Sequence, residues 1–278
     1  MNNAAYSTSE PSATEPLAPG RRSWLARLGH LLIGLLPGIA LIVFWQWAAG
    51  RLIKEIYISK PTAVAQRLYE IFASKEIYPH LWTTGQELVL GYVIGVALGV
   101  IGGYALGRSP RMAGVLEPYV MAFYGIPKIA LAPLFIIWFG FGFLSKIVMV
   151  FSLVVVVFIL NTMNGLREVD RDLIALMRTM CATRFFIFRK VQLPSLVPWV
   201  FAALRISIGL ALIGSVLGEL LGANRGLGWY IEQSGSRLDT TGVFAGLFVL
   251  MIAAVVINEL VKLLELLALG AGRAPKSE

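Results

Sequence analysis

The sequence predicts an all-α, polytopic membrane bundle of about six transmembrane helices, and both its composition and the spacing of its charges support this fold class. Hydrophobic residues make up 57% of the 278 residues and charged residues only 14%, whereas about 25% of an average soluble domain is charged. Long charge-free runs separate the charges that remain. The alternative is a set of buried helices in a large soluble core, but such a protein needs far more polar surface than this composition supplies.

Six runs approach the length of about 20 residues that a helix needs to cross a bilayer. Four of them contain no charged residue: 28–50, 88–107, 147–166 and 240–258. Two more contain isolated charges, because 114–138 holds Glu117 and Lys128 and 196–218 holds Arg205. The six runs leave no room for a large soluble domain, so we expect one membrane domain over 29–268.

The distribution of Lys and Arg predicts that both ends of the chain lie in the cytoplasm. The net charge of +8 is compatible with nucleic-acid binding or with membrane topology, and the charge-free runs favour topology. More Lys and Arg residues fall in the segments on the same side of the membrane as the N-terminus than in the segments on the other side. The loop 50–84, on the other side, also carries several. We expect cytoplasmic tails at 1–28, which has a composition typical of disorder, and at 269–278.

The loop 50–84 is long enough to contain a helix of its own. Apolar residues recur at helical spacing over 62–73, and Pro61 precedes them as a plausible start signal. Two interpretations remain open. The helix could lie on the outer membrane surface, or it could pack on the bundle.

A glycine repeat marks the second span. Glycines recur every fourth residue, at Gly91, Gly95, Gly99, Gly103 and Gly107. On a helix this spacing produces one groove without side chains, which lets a neighbouring backbone approach closely. We therefore interpret these five glycines as helix-packing residues rather than as ligands.

The segment 165–195 is expected to be the longest cytoplasmic connection and the most charged. The pattern predicts one short helix over 170–180, a break at 181–183 and a second short helix over 184–192. Residues 193–194 are expected to end the second helix, because a residue that precedes proline disfavours the helical conformation.

An apolar stripe on the first of these short helices points to a docking surface. The stripe consists of Leu173, Ile174, Met177 and Met180, and arginines lie beside it. Apolar patches rimmed by polar residues commonly mark interaction sites. The alternative is a solvated basic loop that only sets the membrane topology.

Three segments of this loop resemble a known family. Gly-Leu-Arg-Glu-Val-Asp (165–170), Leu-Ile-Ala-Leu-Met-Arg-Thr-Met-Cys-Ala-Thr (173–183) and Phe-Arg-Lys-Val-Gln-Leu-Pro (188–194) are similar to the "EAA" loop of ABC-importer permeases. Other motifs resemble the nitrate/sulfonate/taurine branch of that family: Gly-Arg-Ser (107–109), Pro-Lys-Ile-Ala-Leu-Ala-Pro-Leu (127–134), Trp-Phe-Gly-Phe-Gly (138–142), Ser-Lys-Ile (145–147), Gly-Glu-Leu-Leu-Gly-Ala (218–223) and Gly-Leu-Gly (226–228). The resemblance runs from about residue 31 to residue 265.

The resemblance implies partners and a set of coupling residues. In that family the loop is a coupling helix that sits in a groove of a cytoplasmic ATPase, two copies of the permease meet two ATPase subunits, and a soluble binding protein delivers the solute outside. ATP and Mg²⁺ would bind the ATPase, with no cofactor or metal on this chain. The residues implied in ATPase coupling are Asp172, Ala175, Met177, Arg178, Thr179, Cys181, Ala182, Arg184 and Pro194.

The loop departs from the family pattern at two positions. The Glu-Ala-Ala of the family falls on 175–177, so Ala175 replaces its leading glutamate, and Cys181 replaces its glycine. The first change removes an expected ATPase contact. The second change affects the turn between the two short helices, because a residue other than glycine in a left-handed conformation costs about 1 kcal/mol or more.

The sequence contains no pattern typical of an enzyme. Residues 140–146 do not match a P-loop, and His30 and His80 are far apart in the sequence. Charges inside spans are costly and therefore mark candidate functional sites. A set of four residues forms the candidate translocation path: Lys128, Trp138, Arg205 and Glu219. For Lys128 the structural alternatives are snorkelling and a pair with Glu117.

These observations predict the multi-pass permease subunit of an ATP-driven importer in the cell membrane. The solute class suggested by the resemblance is small and anionic or organic: a sulfonate, taurine, nitrate or a vitamin precursor. An ion-driven secondary transporter is the first alternative, and no inverted repeat is visible to support it. An intramembrane enzyme is the second alternative.

Overall fold

The computed structural model describes residues 36–269, and the regular elements of this part of the chain are helices. Their bounds are Leu36–Ala48 (α1), Pro61–Ala73 (α2), Tyr78–Arg108 (α3), Pro110–Gly125 (α4), a 3₁₀ turn at Lys128–Leu131, Ala132–Phe139 (α5), Phe143–Arg167 (α6), Arg171–Thr179 (α7), Arg184–Ile187 (α8), a π turn at Phe188–Gln192, Leu193–Gly222 (α9), Leu227–Ser236 (α10) and Thr240–Leu269 (α11). We call the end of the bundle that carries α7 the loop end, and the end where α9 finishes the opposite end.

The long helices confirm the predicted all-α membrane bundle. Four helices have the length and hydropathy to cross a membrane: Tyr78–Arg108, Phe143–Arg167, Arg184–Gly222 and Thr240–Leu267. They contain the predicted spans 88–107, 147–166, 196–218 and 240–258. The first predicted span, 28–50, begins outside the described residues, and only the short apolar helix α1 represents it. The predicted tail 1–28 also lies outside the described residues, as does the predicted tail 269–278 except for residue 269, which ends α11.

The third predicted span, 114–138, is not one straight helix. Helix α4 and the segment Lys128–Phe139 meet at an angle of 78° and count as a single span only if the bent pair is taken together. The break falls at Ile126–Pro127, where Ile126 is extended, with φ −67° and ψ 130°. The cause is local, because the residue before a proline is pushed out of the helical region.

The second short helix that we predicted over 184–192 does not end at Pro194. Helix α8 continues through the π turn into α9, so Arg184 to Gly222 forms one apolar helix of 39 residues. At the π turn the Leu193 N–H donates to the carbonyl of Phe188, five residues earlier. Pro194 therefore lies in the first turn that follows, where a helix tolerates proline.

Helix α6 lies at the centre of the bundle, between α3 and α9. Its buried side chains form the main core with residues of those two helices: Leu88, Val150, Val154, Val157, Phe158, Ala203 and Ala211. The five glycines of the repeat on α3 face α6. An added Cβ at Gly91 would lie 2.7 Å from the Ile147 carbonyl oxygen, and one at Gly103 would lie 2.5 Å from that of Ile159. The two backbones approach this closely because no side chain separates them.

The helix predicted in the loop 50–84 is α2, and it packs on the bundle. Its apolar face is buried, with Val64 2% exposed and Ile71 fully inaccessible to solvent. Ile71 belongs to a cluster at the opposite end that includes Leu227 and Val249. Of the two interpretations left open by the sequence, the structure therefore favours packing on the bundle.

Candidate functional site: an exposed loop and a buried polar cluster

Helix α7 begins and ends at well-defined caps. The Asp170 carboxylate accepts hydrogen bonds from the N–H groups of Asp172 (2.8 Å) and Leu173 (3.3 Å), which satisfies donors that a helix start leaves free. Thr183 caps α8 in the same way, accepting from Phe186 N–H at 3.2 Å. These caps fix where the loop turns.

The turn after α7 has the geometry of a glycine turn, although its central residue is a cysteine. Cys181 has φ +57°, in the left-handed region. Its N–H donates to the Arg178 carbonyl at 3.0 Å, and the Ala182 N–H donates to the Met177 carbonyl at 3.0 Å. This pair of bonds is the Schellman motif that commonly ends helices. The turn therefore forms without the glycine of the family pattern.

We expect Cys181→Gly to stabilise the protein. Glycine removes the cost of holding a residue with a side chain in the left-handed backbone region, but it also makes the unfolded chain more flexible. The net gain in unfolding free energy is therefore up to about 1 kcal/mol. Chemical unfolding in mixed micelles measures it. Cys181→Ala is the matched control, because it removes the thiol and keeps the strain. Equal stability of the two variants would show that the turn is unstrained.

The structure divides the apolar stripe of α7 into two faces. Ile174 and Met177 point toward the bundle and pack on a small core formed by Leu166, Val169, Ile187, Val191 and Leu196. Leu173, Leu176 and Met180 are exposed instead. The sequence analysis placed Ile174 and Met177 on the same side as Leu173 and Met180, and this was wrong.

Two phenylalanines of the next helix add to the exposed apolar side chains of α7. Phe185 and Phe186 on α8 lie in the next segment of the loop and are exposed as well. The sequence analysis left Leu176 out of the stripe, although the helical register counted from the Asp170 cap could have identified it. We call the outward set Leu173, Leu176, Met180, Phe185 and Phe186 the exposed loop patch.

The residues implied in ATPase coupling fall into three groups. Those on the loop surface are Asp172, Ala175, Arg178, Thr179, Cys181 and Arg184. Met177 and Ala182 are half-buried and pack under the loop. Pro194 is exposed in the first turn of α9. Their contact with an ATPase stays a prediction.

A buried polar cluster lies at the opposite end of the bundle. Glu219, near the end of α9, is 1% exposed. One of its carboxylate oxygens accepts from the Thr84 hydroxyl at 2.6 Å, and the other accepts from the Gly228 N–H at 2.6 Å. Thr84 in turn accepts from the Leu227 N–H at 2.8 Å. Glu219 thus ties α3 and α9 to the start of α10.

Gly226 is required in the turn that leads into α10. Its φ is +125°, and a side chain there would collide with the Glu219 carboxylate. Its N–H donates to Nδ1 of His80 at 3.2 Å, and the His80 ring stacks on Trp229 with centroids 5.2 Å apart. His80 is therefore connected to the buried polar cluster through the N–H of Gly226.

Lys146 joins the same end of the bundle from α6. Its ammonium group donates to the carbonyls of Phe141 (2.6 Å), Gly142 (2.9 Å) and Gly222 (2.7 Å), which connects the turn before α6 to the end of α9. Lys146 and Glu87 are each 2% exposed. The sequence analysis treated both residues as charged ends of the runs 88–107 and 147–166, and Lys146 also as part of the motif 145–147, so it missed that they are buried.

The four residues of the candidate translocation path have different neighbours. The Lys128 ammonium donates to the carbonyls of Phe123 (2.9 Å) and Tyr124 (3.2 Å), so it caps the end of α4 at the break. Arg205 forms an ion pair with Glu265. Glu219 lies in the polar cluster, and Trp138 is exposed on α5. The Glu117 carboxylate pairs with Arg167 rather than with Lys128. That these four residues line a translocation path stays a prediction.

Comparison with known proteins gives a consistent result over most of the chain. Residues 92–267 match the family model "Binding-protein-dependent transport system inner membrane component". The putative aliphatic sulfonates transport permease SsuC of Bacillus subtilis is 31% identical over 89% of this chain and 88% of its own length. The taurine transport permease TauC of Escherichia coli is 31% identical over 86% and 90%.

A vitamin-related relative and a solved structure agree with this result. The formylaminopyrimidine transport permease ThiX of Halalkalibacterium halodurans is 31% identical over 82% of this chain and 90% of its own length. A chain of the inward-facing MetNI methionine ABC transporter superposes with a TM-score of 0.56 at 25% identity, covering 69% of this chain and 94% of that chain.

Proposed function

The chain belongs to the binding-protein-dependent transport system inner membrane component family and is a multi-pass permease subunit of an ATP-driven ABC importer, and on that premise we propose that its α7–α8 loop is the surface that receives the ATPase. The exposed loop patch carries this proposal. Leu173, Leu176 and Met180 lie exposed on α7, and Phe185 and Phe186 lie exposed in the first turn of the helix Arg184–Gly222. Exposed apolar patches of this kind commonly mark interaction sites.

The loop is well built to transmit force to the bundle. Ile174 and Met177 fasten α7 to the small core beneath it. Helix α6 ends shortly before α7, and α8 is continuous with α9. A displacement of the loop would therefore move α6 and α9 together rather than bend a flexible linker.

The polar cluster would transmit this movement to the opposite end. Lys146 and Glu219 bind α6, α9, α3 and the start of α10 into one body through buried hydrogen bonds. Closure of two ATPases would then tilt that body and change which side of the membrane the solute path faces. Such alternating access is a rigid-body switch between two packings, and it requires no covalent chemistry from this chain.

We further propose the remaining partners of the complex. A second copy of the chain is the natural neighbour of the exposed apolar side chains on α4 and α5, among them Tyr119 and Ile137. ATP and Mg²⁺ belong on the ATPase, because this sequence has no P-loop. A soluble binding protein would deliver the solute to the opposite end, with both termini of the permease in the cytoplasm.

The solute that we propose is a small sulfonate, with taurine as the first candidate. Two of the relatives are named for the transport of sulfonates or taurine, and a third is named for that of a formylaminopyrimidine. A vitamin precursor is therefore the second candidate. We expect the binding protein that serves this permease to bind taurine or an alkanesulfonate in isothermal titration calorimetry. Binding of formylaminopyrimidine with no binding of sulfonates would reverse the order of the two candidates.

A further inference from the structure

An arginine-rich groove lies at the loop end of the bundle. It has a volume of about 1010 Å³ and lies between the loop, the ends of α3 and α6, and the start of α4. Its basic lining residues are Arg108, Arg167, Arg171, Arg178 and Arg184. These arginines come from four different helices, so the fold rather than the local sequence brings them together.

The charge of this groove is largely uncompensated. The acidic side chain in its lining is Glu117, and Arg167 already binds it in a bidentate pair at 3.1 and 2.7 Å. Over residues 36–269, the other four arginines make no ion pair with a carboxylate. Like charges around one cavity repel, so this arrangement favours an anionic occupant.

We propose that the groove binds the phosphate group of an anionic phospholipid headgroup. Guanidinium groups match phosphate oxygens with two parallel hydrogen bonds. The groove also lies at the end of membrane-spanning helices, where basic pockets between helices bind anionic headgroups. Apolar lining residues such as Pro110 and Ala113 suit the glycerol and the first carbons of the acyl chains. This inference does not depend on the solute proposal.

Arg108 provides the sharpest test, because it lines the groove from α3 and lies outside the α7–α8 loop. The permease–ATPase complex is titrated with phosphatidylglycerol and followed by native mass spectrometry, with zwitterionic phosphatidylcholine as the reference lipid. We expect Arg108→Gln to weaken the binding of phosphatidylglycerol about fivefold, the effect of one arginine at an anionic membrane surface. Arg111→Gln is the matched control, since Arg111 is exposed nearby but does not line the groove.

The outcomes separate a lipid from other occupants. Retention of binding in Arg108→Lys, which keeps the charge, together with loss in Arg108→Gln supports the proposal and shows that the variants fold. Equal affinities in Arg108→Gln and Arg111→Gln would overturn it. The lipid assignment is also overturned if inorganic phosphate binds with the same dependence on Arg108 while phosphatidylglycerol does not bind. If the ATPase closes the groove, the complex will show no phosphatidylglycerol adduct, and this result would also overturn the lipid assignment.

Discussion

Leu176→Asp is expected to release the ATPase from the permease. Leu176 belongs to the exposed loop patch and is 56% exposed, so the substitution leaves the fold intact and places a charge where we expect an apolar contact. Truncation of a central contact residue in an interface costs about 2 kcal/mol or more, and a buried unpaired carboxylate adds to that cost. Affinity purification of the tagged permease, with quantification of the ATPase that co-purifies, measures the effect.

Leu238→Asp is the matched control for this prediction. Leu238 is 69% exposed on the turn before α11, at the opposite end of the bundle, so it undergoes the same chemical change away from the loop. Arg178→Asp should act like Leu176→Asp, because Arg178 lies on the same helix and is also exposed. Met177→Asp is less informative because Met177 packs inward. A complex that survives both Leu176→Asp and Arg178→Asp would exclude this loop as the docking surface.

Gly99→Ala is expected to disrupt the packing of α3 on α6. The added Cβ would lie 2.7 Å from the Val155 carbonyl oxygen and would also collide with Cβ of Phe158. Neither atom can move without a shift of α6, which is the central helix of the core. Overpacking of a close-packed interior typically costs 1–3 kcal/mol, and we expect about 3 kcal/mol here because backbone is involved. Thermal unfolding in detergent measures the loss of stability.

Gly85→Ala provides the control on the same helix. An added Cβ at Gly85 meets no atom within 4 Å, and alanine has the higher helix propensity. This variant should therefore be as stable as the parent protein or slightly more stable. Equal thermal unfolding of Gly99→Ala and the parent would mean that α3 and α6 do not approach as closely as the structure shows.

The spans and the glycine contact follow from signals that are local in the sequence. A helix in a membrane excludes charge over about 20 residues, so charge-free runs locate the long helices. The repeat that begins at Gly91 indicates a close helix contact, because only glycine leaves a groove along a helix. The sequence did not identify α6 as the partner, since helix pairing depends on the whole arrangement.

Other features depend on neighbours that are distant in the sequence. Glu87 and Lys146 looked like the ends of spans, yet each is 2% exposed. A buried charge becomes acceptable only when the fold supplies partners, as Gly222 does for Lys146 through its carbonyl oxygen. The candidate docking surface was likewise predicted on the loop, but with a different set of outward-facing residues. The helical register groups Leu176 with Leu173 and Met180, and the packing of α7 shows that this face is turned outward while Met177 is turned inward.

The central claim is that ATP hydrolysis, delivered through the α7–α8 loop, drives solute import through this chain. The direct measurement is uptake of radiolabelled taurine, or of the solute that calorimetry identifies, into proteoliposomes that contain the permease and its ATPase, with the binding protein outside. We predict uptake only with ATP on the ATPase side, and loss of uptake in Leu176→Asp. Uptake that persists without ATP or without the ATPase, driven by an ion gradient, would contradict the account.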